Sequence, residues 1–175
     1  MLYTRKGDGG TTKTLHCDQR LSKSSTIAEA LGALDELNSW LGYCRAKFTS
    51  STTTLLAVQH NLFIIQAEVA GAPGKTIVVD KVVALEKIID EIEKELPPIK
   101  SFFIPGATES GALLDCARTL ARRAERRVVA VKENGKVPLG DSSLAYLNRL
   151  SSLLYALARL ANHRSGIREE APHYL

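Results

Sequence analysis

The chain has 175 residues, a net charge of +4 and a hydrophobic fraction of 45%, a size and composition typical of one globular domain. These values exclude intrinsic disorder of most of the chain, and no apolar run approaches the roughly 20 residues that cross a bilayer. The first residues lack the apolar stretch of a signal peptide, so we expect a cytoplasmic protein. The basic balance is a weak indication of a polyanionic ligand.

The cysteines and histidines form no metal-binding or disulfide pattern. Cys17, Cys44 and Cys116 are odd in number and include no CxxC pair, which favours three reduced thiols. The four histidines have no zinc-ligand spacing. We therefore expect no metal to be held by a conventional ligand motif.

The first third of the chain predicts a loop followed by two helices. Residues 1–24 are polar and rich in glycine, threonine and lysine. Ser24, Ser25 and Thr26 form a plausible helix N-cap run, and apolar residues spaced by three and four predict a helix over 25–48. The hydroxyl-rich segment 49–54 can cap a second helix over 53–70, which a glycine- and proline-containing turn ends.

The rest of the chain predicts three more helices separated by short connections. The remaining segments are a helix over 77–96, a connection over 99–110, a helix over 109–133, a helix from Asp141 to about residue 162, and a polar tail over 163–175. Short links between long amphipathic helices predict antiparallel neighbours. We therefore expect an all-α, antiparallel five-helix bundle over 25–162, within a single domain over 1–175.

The fourth predicted helix carries an apolar stripe bordered by charged residues. The stripe consists of Leu114, Ala117, Ala121, Ala124, Val128 and Val131. At about 100° per residue, Arg118, Arg122 and Glu125 border this stripe, whereas Arg123 and Arg127 lie opposite it. The arginines are either surface residues with weak i,i+4 pairs or an anion site, because guanidinium groups match phosphate geometry.

Two other helices also have polar residues beside their apolar stripes. On the fifth helix the spacing predicts a buried stripe of Leu144, Leu147, Leu154 and Ala161. Beside it align Asn148, Ser152, Tyr155 and Arg159, forming either a simple polar edge or part of a site. On the first helix, Asp35 borders the stripe, a position typical of an acid that meets a base from a neighbouring helix.

The N-terminal loop has the composition of an anion-binding segment. Residues 4–14 contain three glycines, several hydroxyls and three bases, and glycines let backbone N–H groups converge on an anion. The segment is neither a Walker A loop nor a GxGxxG motif, so a flexible tail is the alternative.

Four segments together resemble a known family. They are YTRKGDGGT at 3–11, DELNS at 35–39, RRAERR at 122–127 with the preceding Arg118, and YLNRLS at 146–151. In this order they resemble the ATP:cob(I)alamin adenosyltransferases of the trimeric five-helix-bundle type. The resemblance implies an up-and-down, ferritin-like bundle that assembles as a homotrimer. It also implies transfer of the 5′-deoxyadenosyl group of ATP to the cobalt of cob(I)alamin, with release of triphosphate.

The resemblance further implies which residues bind ATP. The triphosphate would be wrapped by Thr4, Arg5, Lys6, Gly7, Thr12, Lys13 and Lys23. ATP would also be held from the fourth and fifth helices by Arg122, Glu125, Arg126 and Asn148. Mg²⁺ would be held mainly by the triphosphate, and the ATP would lie between adjacent subunits.

Four residues would act at the reacting centre in such an enzyme, namely Asp35, Phe102, Arg118 and Arg122. Asp35 would pair with Arg118 across a subunit interface. Phe102, three residues before Pro105, would exclude the lower axial ligand of cobalamin, which makes the cobalt easier to reduce. A corrinoid reductase and an adenosylcobalamin-dependent recipient enzyme are the implied partners.

The chain departs from the family pattern at a few positions. Ser24, Ser25 and Ser152 stand where aspartate is common, and Ala107 replaces a glycine. A non-catalytic cobalamin- and ATP-binding module therefore remains an alternative. A nucleic-acid binder is disfavoured, because no helix-turn-helix pattern is present and the positive charge concentrates in the N-terminal loop and residues 115–136.

Overall fold

The computed structural model describes residues 3–14, 20–48 and 52–174. Cys17 and residues 49–51 of the hydroxyl-rich segment lie outside this part of the chain. The elements within it are β1 (Thr11–Lys13), β2 (Arg20–Ser22), α1 (Thr26–Lys47), α2 (Thr52–Val69), α3 (Val79–Glu95), α4 (Glu109–Glu133) and α5 (Asp141–Arg164). The five predicted helices are confirmed. They are preceded by two antiparallel strands of three residues each.

The helices pack side by side in the spatial order α2–α1–α4–α5–α3. Helices consecutive in the chain run in opposite directions, as the sequence predicts. For example, Lys132 near the end of α4 pairs with Asp141 at the start of α5. The neighbours α3 and α5 are parallel, since Arg149 pairs with Glu86 and Arg164 with Glu95. Both helices have odd positions in an up-and-down chain, so they point the same way.

The helix boundaries differ from the prediction where tertiary contacts intervene. α3 begins at Val79 rather than at 77. Ile77 is buried, and its backbone N–H donates to the Ser143 hydroxyl of α5. α5 continues through Arg164, two residues into the predicted tail. The tail is not free, because Glu170 accepts a backbone hydrogen bond of 2.8 Å from Ile104.

The apolar stripe predicted on α4 is buried at all six positions. Its three alanines have small side chains, which lets α1 and α5 approach closely. The stripe predicted for α5 is too narrow, because this helix is buried around most of its circumference and even Tyr146 is inaccessible. Burial raises the pKa of Tyr146 to about 12, and its hydroxyl oxygen accepts a hydrogen bond from Asn61. The stripe positions Leu144 and Ala161 are only partly buried.

The start of α5 is fixed by a buried acid from another helix. Glu68, near the end of α2, accepts hydrogen bonds from the Gly140 backbone N–H at 2.8 Å, from the Thr76 hydroxyl at 2.9 Å and from the Ser143 hydroxyl. Gly140 is the N-cap of α5 and has no capping side chain, so Glu68 supplies the negative charge that favours a helix N-terminus. In the described residues, none of the helices combines the length and apolar character needed to cross a membrane.

Candidate active site

A cavity of about 570 Å³ lies between α4, α5, the α3–α4 connection over 96–108 and the C-terminal tail. Three of the residues expected at the reacting centre, Phe102, Arg118 and Arg122, line this cavity. They come from a loop and a helix, and the fold brings them together. Ser152, one of the departures from the family pattern, lines it as well.

Arg118 is oriented by its own helix and by α5. Its Nε donates to Oδ1 of Asp115 at 2.9 Å, and its guanidinium lies 5.9 Å from the centroid of the Tyr155 ring. Burial raises the pKa of Tyr155, so its hydroxyl stays neutral at physiological pH. Asp115 and Tyr155 therefore hold the positively charged guanidinium of Arg118 at the cavity wall.

The arginines of the RRAERR segment divide into two groups. Arg123 pairs with Glu36, and Arg127 with Glu29 at 3.7 Å, so both bridge to α1 at one edge of α4. The expectation that these two arginines lie opposite the buried stripe is wrong, because α1 packs against α4 on the side where their guanidinium groups meet its acids. Arg122 and Arg126 are exposed and have no hydrogen-bond or ion-pair partner among the described residues. Unpaired guanidinium groups beside a cavity can bind an anion, whereas the paired ones stabilise the bundle.

Phe102 stands at the mouth of the cavity with 78% of its surface exposed. The neighbouring Ile99 and Ile104 are also exposed and line the same cavity. Exposed apolar side chains gathered at a cavity mouth mark a surface that binds an apolar ligand. Phe102 therefore lies where an apolar ligand at the cavity mouth would contact its ring.

Asn148 and Glu125, both expected to bind ATP, contact each other across α4 and α5. Asn148 Nδ2 donates to Glu125 Oε1 at 3.0 Å, and Asn148 Oδ1 accepts from Arg149 at 2.6 Å. Arg149 is fixed in turn by Glu86 of α3 at 2.9 Å. This chain of contacts orients the amide on the same α4–α5 face as Arg122.

The N-terminal loop is compact, and Arg20 holds it together. The Arg20 guanidinium donates to the backbone oxygens of Lys6 and Thr11, and to the Thr11 hydroxyl at 2.8 Å. Gly7 faces the ammonium group of Lys23, which would lie 3.2 Å from a Cβ at that position. Gly7 and Lys23, which the resemblance assigns to phosphate binding, therefore lie next to each other, and the backbone of Lys6 is tied to Arg20.

The N-terminal loop and the arginines of α4 occupy different faces of the chain. Thr12 and Lys13 line a cavity with Leu31 of α1 and Phe63 of α2, whereas Arg122 lies on the α4–α5 face. The expected ATP-binding residues thus form two groups that the packing of one chain keeps apart. Asp35 is exposed and forms no ion pair with Arg118 within the chain.

Three residues that shape these surfaces were missed by sequence reasoning. Asp115 precedes Arg118 by three residues, a spacing that itself predicts a helical ion pair. Arg20 lies beyond the glycine-rich segment, and only the pairing of β1 with β2 brings it back to the loop. Glu169 belongs to the tail and lines the cavity, and no local pattern marks it.

A helical bundle with a cavity lined by an arginine without a partner and by aromatic side chains has the architecture of proteins that bind small molecules between helices. The chain belongs to the cobalamin adenosyltransferase family, whose model matches residues 2–161.

Individual relatives agree with this assignment. The corrinoid adenosyltransferase PduO of Citrobacter freundii is 42% identical over 93% of this chain, and a corrinoid adenosyltransferase of Bacillus subtilis is 39% identical over 95%. The chain spans about half the length of the Citrobacter protein (50%) but 89% of the Bacillus protein. A variant PduO-type ATP:corrinoid adenosyltransferase from Lactobacillus reuteri, complexed with cobalamin and ATP, superposes with a TM-score of 0.90 at 31% identity, covering 98% of this chain and 96% of that one.

Proposed function

We propose that this chain transfers the 5′-deoxyadenosyl group of ATP to the cobalt of a reduced corrinoid. Cobalt(I) supplies the electron pair, a Co–C bond forms at carbon 5′, and the C5′–O bond breaks as triphosphate leaves. Because cobalt(I) is a strong nucleophile, the protein contributes positioning and electrostatic stabilisation rather than a nucleophile of its own. Family membership and the names of the relatives support this activity.

The observation that carries the proposal is a pair of arginines without partners among the described residues. Arg122 lines the cavity that Phe102 also lines, and Arg126 follows it one turn later on α4. Negative charge grows on the leaving triphosphate as the C5′–O bond breaks, and prepositioned donors stabilise it. Arg122 is the cation at the reacting centre in this proposal. Glu125 and Asn148 orient ATP from the same face.

Phe102 is the residue that shapes the corrinoid end of the site. Its exposed ring would occupy the space below the cobalt and keep the lower axial ligand away. A four-coordinate cobalt(II) is easier to reduce than a five-coordinate one, since losing an axial donor raises the reduction potential.

A homotrimer completes the site in this proposal. The N-terminal loop, with Thr4, Arg5, Lys6, Gly7 and Lys23, would meet Arg122 and Arg126 of the adjacent subunit. The separation of the two groups within one chain supports a repeated contact between unlike faces, which closes into a ring. Asp35 would then reach Arg118 of the neighbouring subunit.

The remaining components of the reaction follow from the chemistry of ATP and cobalt. Mg²⁺ would arrive with ATP, because triphosphate oxygens are its preferred ligands in nucleotide sites. Cobalt(I) requires an electron donor, so we expect a corrinoid reductase as partner and an adenosylcobalamin-dependent enzyme as recipient. We place the reaction in the cytoplasm and expect neither nucleic acid nor a membrane as partner.

An anaerobic assay tests the proposal. The protein is mixed with ATP, Mg²⁺ and chemically reduced cobalamin, and conversion of the corrin absorbance to that of adenosylcobalamin is expected. Triphosphate should appear in equal amount. Binding of ATP and corrinoid without any such conversion would contradict the proposal and establish the chain as a carrier module.

A further inference from the structure

The α3–α4 connection over 96–108, which carries Phe102, is held in place by α5 and the C-terminal tail. It contains neither a helix nor a strand, so its conformation depends on contacts made elsewhere. Phe102 itself is mostly exposed and cannot anchor the segment. The contacts that fix the connection therefore decide where the Phe102 ring stands.

Arg159 of α5 contacts the connection on both sides of Phe102. Its side chain is 5% exposed, and its two Nη atoms donate to the Pro97 carbonyl at 3.4 and 3.3 Å. Its guanidinium also lies 4.9 Å from the centroid of the Phe103 ring, within cation–π range. One buried side chain thus binds the segment before Phe102 and directly after it.

Glu169 of the tail holds Arg159 and a second anchor together. Its Oε2 accepts from Arg159 Nε at 3.1 Å, and its Oε1 accepts from Asn162 Nδ2 at 3.0 Å. Asn162 Oδ1 in turn accepts from the Thr108 hydroxyl at 2.7 Å, at the far end of the connection. A Cβ at Gly111 would lie 2.2 Å from Asn162 Oδ1, so any larger residue there would displace that amide.

Removing the Glu169 carboxylate would leave a buried guanidinium without an ion-pair partner, because Arg159 pairs with no other described acid. An isolated buried charge is strongly unfavourable. Arg159 would therefore move towards water, and its contacts with Pro97 and Phe103 would be lost. The connection would then sample many conformations, since ordering its backbone is costly in entropy.

We propose that Glu169 is a positioning residue for the corrinoid, which acts through Arg159 and Asn162 to hold the connection and thereby Phe102 at the cavity mouth. The inference rests on the proposed function and on the role of Phe102 in it. It assigns the C-terminal tail to the wall of the corrinoid site. A specific consequence is that changes in the tail should lower kcat most for a corrinoid that carries a lower ligand.

The test compares Glu169→Gln and Glu169→Asp with the wild-type protein on two corrinoids. Cobalamin carries the lower ligand, and cobinamide lacks it. Glu169→Gln should lower kcat with cobalamin by about 10-fold or more while kcat with cobinamide and KM for ATP change little, because misplacement of a positioning group slows the reaction of a bound substrate. The four-coordinate fraction of bound cob(II)alamin, measured by absorbance, should fall in parallel. Glu169→Asp, which keeps the charge, should restore part of both.

Glu95→Gln is the matched control. Glu95 forms a bidentate ion pair with Arg164 at the same end of the bundle, and both hydrogen bonds are 2.7 Å long. Glu95 does not line the cavity. This variant should lose some stability but keep the wild-type ratio of kcat values for the two corrinoids. Arg159→Lys provides a second variant should Glu169→Gln not fold, and it should shift the same ratio in the same direction.

The positioning role would be overturned if Glu169→Gln lowered kcat equally with cobalamin and cobinamide. It would also be overturned if this variant lost thermal stability while the four-coordinate fraction of bound cob(II)alamin stayed unchanged. A wild-type protein that converts neither corrinoid would contradict the proposed function instead. The absorbance comparison of bound cob(II)alamin in the wild type and Glu169→Gln would still test the positioning role in that case.

Discussion

Arg118 donates from Nε to Oδ1 of Asp115 at 2.9 Å, one turn earlier on the same helix. Arg118, which the family resemblance pairs with Asp35 across a subunit interface, therefore already has an anionic partner within its own chain. Asp115 is the less exposed of the two, with 14% of its side chain accessible. It can orient the guanidinium before any second subunit arrives, and Asp35 would then add a second carboxylate across the interface.

This arrangement predicts energetic coupling between Asp35 and Arg118 in the assembled protein. Asp35→Asn and Arg118→Ala should each weaken association of the subunits, and the double variant should lose less than the sum. The expected coupling is about 0.5–3 kcal/mol, measured from dissociation constants by analytical ultracentrifugation. Glu36→Gln with Arg123→Ala is the control, because that pair lies within one chain. Additive effects for Asp35 and Arg118 would argue against the intersubunit pair.

Arg122→Ala should abolish most turnover while the oligomer persists. Losing one cation that stabilises the developing charge is expected to lower kcat by about 100-fold or more. Steady-state kinetics and size-exclusion chromatography check the two parts of this prediction. Arg123→Ala, the adjacent residue, should keep turnover because its guanidinium bridges to α1. Dissociation of Arg122→Ala into monomers would assign that residue a structural role.

Phe102→Ala should impair the reaction of cobalamin more than that of cobinamide, because only cobalamin has a lower ligand to exclude. The ratio of the two kcat values is the quantity to measure. The side chain is mostly exposed, so the variant should fold with nearly unchanged stability. Tyr174→Ala, which removes another exposed aromatic ring, serves as control. Equal losses on both corrinoids would refute the ligand-exclusion role.

Glu68→Ala should destabilise the fold without changing the chemistry of the site. The variant leaves the Gly140 N–H and the Ser143 hydroxyl without their acceptor, and an unsatisfied buried polar group costs about 1–3 kcal/mol. Urea denaturation measures the loss. Gly140→Ala should also destabilise, since its Cβ would lie 2.9 Å from the Thr76 hydroxyl. Unchanged stability in both variants would show that the buried acid does not fix α5.

The two described cysteines should differ in reactivity towards alkylating agents. Burial and, secondarily, the nearby Cys116 thiol raise the pKa of Cys44 from its ordinary 9.0 to about 11. At pH 8, Cys44 is therefore almost entirely in the unreactive thiol form. Iodoacetamide should label the exposed Cys116 first, and peptide mapping by mass spectrometry identifies the modified residue. Labelling of Cys44 should become appreciable only towards pH 11 or on unfolding.

Much of the fold follows from local patterns. The stripe on α4 is predicted correctly because its spacing matches the helical period. The N-cap of α1 is Ser25, one of the three residues of the predicted capping run over 24–26. The extent of burial of α5 is not predictable in this way. Its circumference is covered by α4 and α3 and also by residues of α2 and of the C-terminal tail, whereas an apolar stripe in the sequence describes contact with only one or two neighbours.

The residues of the candidate site are also only partly predictable from the sequence. Residue types and order alone mark Phe102, Arg122 and Asn148, because these positions match a family pattern. Only the tertiary structure distinguishes the unpaired Arg122 from the paired Arg123, since that difference depends on which neighbouring helix supplies an acid.

The sequence by itself thus determined the five helices, the basic character of the loop and α4, and the family resemblance. Those properties reside in local periodicity and in short motifs. The tertiary structure decided that Phe102, Arg118 and Arg122 border one cavity, and that Glu169 and Arg159 hold the connection carrying Phe102. These relationships join different elements of the fold, and only packing of the helices, the connection and the tail brings those residues together.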